Sequence, residues 1–179
     1  PLHDKRILIL VGDDYEDLEL WYPKLRLIEA GAGVTVAGPE GKKLYTGKNG
    51  YPCKSDIDIA AMEASDFHGL VVPGGWMPDK LRRDPKVLQL VRDFHKQEKL
   101  IAAICHGAQL LAAAGVLKGR KCSAYPACGP DVNAAGGTWV NIAIDAAHTD
   151  GNLVTAPAWP AHPAWMAAFL KVLGTKITL

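Results

Sequence analysis

Leu100 to Ala114 reads LIAAICHGAQLLAAA, and its parts ask for different backbones. Leu100 to Ile104 is a short apolar run of strand type, while Ala108 to Ala114 is rich in strong helix formers. Only Cys105, His106 and Gly107 stand between them, which leaves no room for a loop. A strand that becomes a helix within so few residues turns sharply, and the residue at the apex takes a tight, strained conformation. Its side chain then rises above the carboxyl edge of a sheet, beside a helix N-terminus, a setting expected to favour a thiolate. Cys105 is therefore the candidate nucleophile. The competing reading is a buried core thiol, the common fate of free cysteine; His106 and Gly107 do not continue a core strand, which favours the elbow.

Working outward, the chain alternates strand-like runs with helical patterns. Arg6 to Val11 (RILILV) is a continuous apolar run, as in a strand covered on both faces. A helix is expected from about Glu16 to Ala30, with Leu18, Trp21, Leu25 and Ile28 marking one apolar face, a kink at Pro23 and a stop at Gly31. Val34 to Ala37 is a second strand, Pro39 to Lys54 a hairpin or extended excursion, Ile57 to Ile59 a short extended piece and Ala60 to Ala64 one helical turn. Gly69 to Pro73 is a third buried strand, and Asp84 to Gln97 a helix with Val87, Leu88, Val91 and Phe94 inward. After the elbow come strands at Lys121 to Tyr125, Thr138 to Ala143 and Asn152 to Ala156, a short helix at Pro130 to Ala135, and a final helix from Pro163 to Leu173. This alternation predicts an α/β fold, a mostly parallel sheet between helix layers. Ligands of such sheets bind at the carboxyl ends of strands.

The chain has 179 residues, enough for one domain with a real core. With 49% hydrophobic and 22% charged residues it does not have the composition of a disordered chain. A net charge of +1 with scattered Lys and Arg lacks the basic footprint of a nucleic-acid binder. No apolar run approaches the ~20 residues of a membrane span. The apolar part of PLHDKRILILVG is too short for a signal peptide, and no cleavage site follows it. Cys53, Cys105, Cys122 and Cys128 form no CxxC pair and match no zinc spacing, so reduced thiols, a cytoplasmic location and no metal site are expected.

Three strand ends carry chemically loaded turns. Besides Cys105-His106, Pro73-Gly74-Gly75 allows close backbone approach and leaves N–H groups free to face a ligand. Gly75 and His106 N–H are candidate oxyanion donors, with His106 the candidate base. Glu16 follows the first strand; its carboxyl group either reaches the thiol or simply complements a helix dipole. Asp79, taken alone, reads as a helix cap ahead of KLRRD. Trp76, Trp159 and His162 either line an apolar pocket or pack.

These residues fall into a known pattern. GDDYEDLEL at Gly12 to Leu20, YTGKNGY at Tyr45 to Tyr51, VVPGGWMPDKLR at Val71 to Arg82 and AICHGAQLLAAAGVLKGRK at Ala103 to Lys121 together resemble the ThiJ/PfpI superfamily, single-domain relatives of class I glutamine amidotransferases. The likeness is nearest to the PfpI-like branch of intracellular proteases and general stress proteins. The resemblance implies a flavodoxin-like three-layer sandwich, Cys105 as nucleophile held through a hydrogen bond by Glu16, and His106 as base. It implies a homo-oligomer, dimer or hexamer, in which an acid from a neighbouring subunit orients His106 at a site near the interface. Asp79 occupies that acid's position, where the family archetypes carry Glu. Thr155-Ala156-Pro157-Ala158-Trp159 stands where the family often has TSR-x-P, so one cation is lost and an aromatic gained.

Three functions follow from the resemblance. The first is a cofactor-independent enzyme on reactive carbonyls, of the glyoxalase III or deglycase kind. The second is a PfpI-type cysteine peptidase or amidase on small peptides or amides. The third is a redox-sensing or chaperone-like stress protein whose Cys105 oxidises readily. A small-molecule carbonyl or peptide is the expected partner, with Gly74, Gly75, Trp76 and Trp159 at the substrate.

Overall fold

In a computed structural model, which describes residues 1–175, the LIAAI run is a strand, Leu100–Ile104, with all five residues buried. It lies in a seven-stranded sheet. Numbered along the chain, the strands of that sheet are β1 (Arg6–Leu10), β2 (Gly33–Gly38), β5 (Ile57–Asp58), β6 (Gly69–Val72), β7 (Leu100–Ile104), β10 (His148–Asp150) and β11 (Leu153–Ala156). Their spatial order is β10-β11-β7-β6-β1-β2-β5, and every pairing is parallel except β10 with β11. The central strands are buried on both faces, as continuous apolar runs require.

Helices cover the two faces. The helix α1 (Asp17–Glu29) packs with α6 (His162–Val172). On the other side α2 (Met77–Leu81), α3 (Pro85–Lys96) and α5 (Gly129–Ala134) gather around α4 (Ala108–Ala114), the helix that leaves the elbow. The fold is therefore the expected α/β sandwich. The excursion after β2 is a hairpin, β3 (Leu44–Thr46) antiparallel to β4 (Pro52–Lys54).

Some local expectations are corrected. The stripe Leu18, Leu25 and Ile28 of α1 faces outward and is exposed, whereas Glu19, Leu20, Pro23 and Leu27 are buried. Both stripes recur at helical spacing, and only packing selects between them. Pro23 leaves α1 unbroken. The strand at Lys121 shrinks to Lys121–Cys122 (β8) and pairs in parallel with Thr138–Trp139 (β9), away from the main sheet. The strand expected at Thr138 to Ala143 covers only Thr138–Trp139, and the antiparallel neighbour of β11 is His148–Asp150 instead. All four thiols are free and buried. Among the described residues no helix is long and apolar enough to cross a membrane.

Candidate active site

The elbow has the backbone the sequence demanded. Cys105 has φ +58°, left-handed for a non-glycine residue, and opens a 3₁₀ turn, Cys105–Gly107, that runs directly into α4. Residual exposure of Cys105 is 7%, so the sulfur sits at the floor of a cleft rather than on an open surface. That cleft holds about 520 Å³ and is lined by Glu16, Glu19, Lys48, Gly75, Trp76, His106, Tyr125, Ile144 and the Ala158–Pro160 segment, besides Cys105.

Two other turns meet the elbow. Tyr15 and Gly75 form an isolated antiparallel bridge, which ties the turn after β1 to the turn after β6. Gly75 has φ +81°, and a Cβ there would collide with the backbone of Glu16 and Asp14, so only glycine fits. At Gly74 a Cβ would lie 2.8 Å from the Cβ of Cys105 and also strike the Glu19 carboxylate. The two glycines thus admit the Cys105 thiol and the Glu19 carboxyl group to one spot. The backbone N–H groups of Gly75 and His106 lie near the Cys105 sulfur and act to lower its pKa against burial.

The carboxyl group at the thiol is Glu19, not Glu16. Glu16 is the N-cap of α1, and its Oε2 accepts the Glu19 N–H at 2.9 Å. Spent on the cap, it cannot turn to the sulfur. Glu19, two residues into the helix and buried, accepts Gly74 N–H at 2.9 Å, and its Oε1 meets the Cys105 side chain at Gly74. Burial, and then the nearby Glu16 charge, push its pKa up to about 8, so its carboxyl group is protonated at neutral pH. Burial raises Cys105 as well, followed by the Glu19 charge. The resting sulfur is therefore a thiol, not the thiolate the helix N-terminus suggested. A protonated Glu19 removes the repulsion and can donate to the sulfur once it ionises.

His106 is the basic side chain beside the thiol. Its Nδ1 lies 3.1 Å from Cys105 Sγ, and its ring stacks on Tyr125 with centroids 5.1 Å apart. Burial lowers its pKa and Lys48 lowers it further, which leaves a neutral imidazole ready to accept a proton. Asp131 and Asp79 act in the opposite sense from a distance. Asp79 does not touch His106 of its own chain. It lies in the first turn of α2, its side chain 68% exposed and 3.8 Å from Arg82.

Trp76 and Trp159 line the cleft, whereas His162 packs beneath it, buried, with Nδ1 2.6 Å from Trp159 O and its ring stacked on Tyr22. Glu19, Lys48, Tyr125 and Ile144 belong to the cleft without having been singled out from the sequence. An acid at the third helical position behind an acidic N-cap was the available signal for Glu19; Lys48, Tyr125 and Ile144 carry none. No group of three or more His, Cys, Asp or Glu side chains is placed to hold a metal ion among the described residues.

Comparison with known proteins supports the same grouping. A DJ-1/PfpI family model matches residues 5–172. Protein DJ-1 homolog D of Arabidopsis thaliana is 40% identical over 191 residues, covering 98% of this chain and 49% of its own length. Deglycase PfpI of Pyrococcus furiosus is 39% identical over 172 residues, covering 94% and 99%. A two-domain crystal structure from Anabaena variabilis, with DJ-1/ThiJ/PfpI-like and ferritin-like domains, superposes with a TM-score of 0.91 at 34% identity over 95% of this chain and 48% of that one. The chain thus spans about half of the plant and cyanobacterial proteins and nearly all of the archaeal one. A Bacillus subtilis relative, 36% identical over 152 residues, carries a cysteine-protease name. With its elbow, its paired glycines and a family match over nearly its whole length, the chain belongs to the DJ-1/PfpI family.

Proposed function

We propose that this chain is a cysteine-nucleophile enzyme acting on reactive carbonyls, in the manner of a glyoxalase III or deglycase. The observation that carries the reading is the 3.1 Å contact of the buried Cys105 thiol with the His106 imidazole, beside the buried Glu19 carboxyl group. His106 takes the thiol proton as Sγ adds to the aldehyde carbon of a 2-oxoaldehyde. Glu19 and the N–H groups of Gly75 and His106 hold the developing charge. The hemithioacetal then passes its C1 hydrogen, as a proton, to C2 through an enediol. Water displaces the sulfur from the resulting thioester. The aldehyde carbon ends as a carboxylate, the ketone carbon as an alcohol, and the thiol is restored. The internal redox balance consumes one water and calls for no cofactor. A carbonyl already joined to an amine as an early glycation adduct would release that amine along the same path. The deglycase name of the Pyrococcus furiosus relative agrees with this choice.

A peptidase is the second reading, favoured by the cysteine-protease name of the Bacillus subtilis relative and by the same Cys–His pair. Release of lactate from methylglyoxal, measured beside hydrolysis of a small peptide amide for the wild type and Cys105→Ala, tests the two. Lactate formation lost in the variant supports the carbonyl enzyme; Cys105-dependent amide hydrolysis alone supports the peptidase.

Self-association belongs to the same proposal. Leu18 and Leu25 of the outward stripe of α1 line a surface groove with Trp21 and Tyr51, and a second copy of this chain is the occupant we assign to it. Asp79 is exposed enough to reach a neighbouring copy's His106, as the family resemblance implies.

A further inference from the structure

The rim of the cleft is apolar in a way that neither the fold nor the carbonyl chemistry needs. Trp76 follows β6 and Trp159 follows β11, and the sheet order places β7 between those strands. The two indoles therefore rise from loops on either side of the strand that delivers Cys105. They are 61% and 55% exposed, while Trp165, the core tryptophan, is fully buried. Large aromatic surface left open to water is not explained by folding, and both exposed tryptophans line this one cleft. Tyr125 and Ile144, also exposed, continue the same rim. The same lining also carries polar side chains, Glu16, Glu19, Lys48 and His106. A cleft of about 520 Å³ falls in the range that takes drug-sized ligands. A three-carbon oxoaldehyde would occupy only its floor.

Resting on the carbonyl reading, we infer that the substrate class is a 2-oxoaldehyde carrying a flat, uncharged aromatic group, with Trp76 and Trp159 as specificity-determining residues that grip that group while its carbonyls face Cys105. Indoles prefer offset stacking or edge contacts with another ring, and two indoles flanking the nucleophile offer both. The aryl group is unchanged in the reaction: sulfur bonds to the aldehyde carbon, hydrogen moves to the ketone carbon, and water releases an aryl hydroxy acid.

The test compares phenylglyoxal with methylglyoxal for the wild type, Trp76→Ala and Trp159→Ala, with folding checked by circular dichroism. The wild type is expected to prefer phenylglyoxal, and each substitution to reduce the phenylglyoxal-to-methylglyoxal ratio of kcat/KM by about tenfold. No preference in the wild type, or equal losses for both substrates, overturns the assignment. A second measurement separates it from the chemistry. Binding of mandelate and of lactate to Cys105→Ala, read by tryptophan fluorescence, is expected to favour mandelate, and the preference to vanish in Cys105→Ala/Trp159→Ala. If neither oxoaldehyde is turned over but that preference holds, the carbonyl mechanism fails and the aromatic site stands. If mandelate and lactate bind alike, the aromatic site fails whatever the turnover.

Discussion

Cys105 Sγ and His106 Nδ1, side chains of consecutive residues, lie 3.1 Å apart. Adjacent side chains in a strand point to opposite faces; the left-handed φ of Cys105 and the 3₁₀ turn that follows bring these two together. If His106 is the base, His106→Ala should lower kcat for 2-oxoaldehydes by about 10²–10⁴-fold, the usual contribution of a positioned base. The measurement is steady-state kinetics across pH 5–9, in which the acid limb of the wild-type profile should disappear in the variant. A variant that keeps both rate and limb contradicts the assignment.

Glu19 and Glu16 should part company on substitution. Glu19→Leu removes the donor to the ionised sulfur and is expected to cost about 10²–10³ in kcat, the scale of one lost charge-stabilising group. Glu16→Ala removes a helix cap instead and should cost about 1 kcal/mol of stability. Kinetics together with urea unfolding of both variants separates the effects.

The pH dependence of stability has a definite sign. The carboxyl pKa of Glu19 is about 8 in the folded protein against an ordinary 4.5. Between those values the folded chain holds a proton that the unfolded chain gives up. This residue's contribution is therefore fully favourable below pH 4.5 and declines as pH rises to about 8, by about 1.4 kcal/mol per unit. Glu19→Gln should flatten that slope and gain stability relative to the wild type at pH 8, as measured by urea midpoints from pH 5 to 8.

The outward stripe of α1 makes a further prediction. The wild type should run as an oligomer in light scattering coupled to gel filtration, and Leu18→Glu/Leu25→Glu should shift it toward monomer with unchanged circular dichroism. A monomeric wild type at micromolar concentration would remove the interface and the composite site with it.

The sheet was legible because its strands are continuous apolar runs, and the elbow because no loop separates LIAAI from AQLLAAA. The partition of the two glutamates was not. Both stand at the start of one helix, and which of them caps it depends on where the turn after β6 presents the Gly74 N–H, a relation between residues 55 apart. The exposed stripe of α1 was hidden for a similar reason, since its spacing matches that of the buried one. Cys128, in a polar stretch, gave no local sign of being covered. The charge state of Cys105 is hidden for the same reason, since burial, which opposes the effect of the helix N-terminus, depends on the tertiary packing.

The central claim is that the elbow sulfur bonds to the substrate's aldehyde carbon. Carbon NMR with methylglyoxal labelled at C1 observes that bond directly. A protein-bound hemithioacetal resonance is predicted, decaying as labelled lactate accumulates, with both absent in Cys105→Ala. Lactate formation at the wild-type rate by Cys105→Ala, with no such resonance in the wild type, would contradict the account.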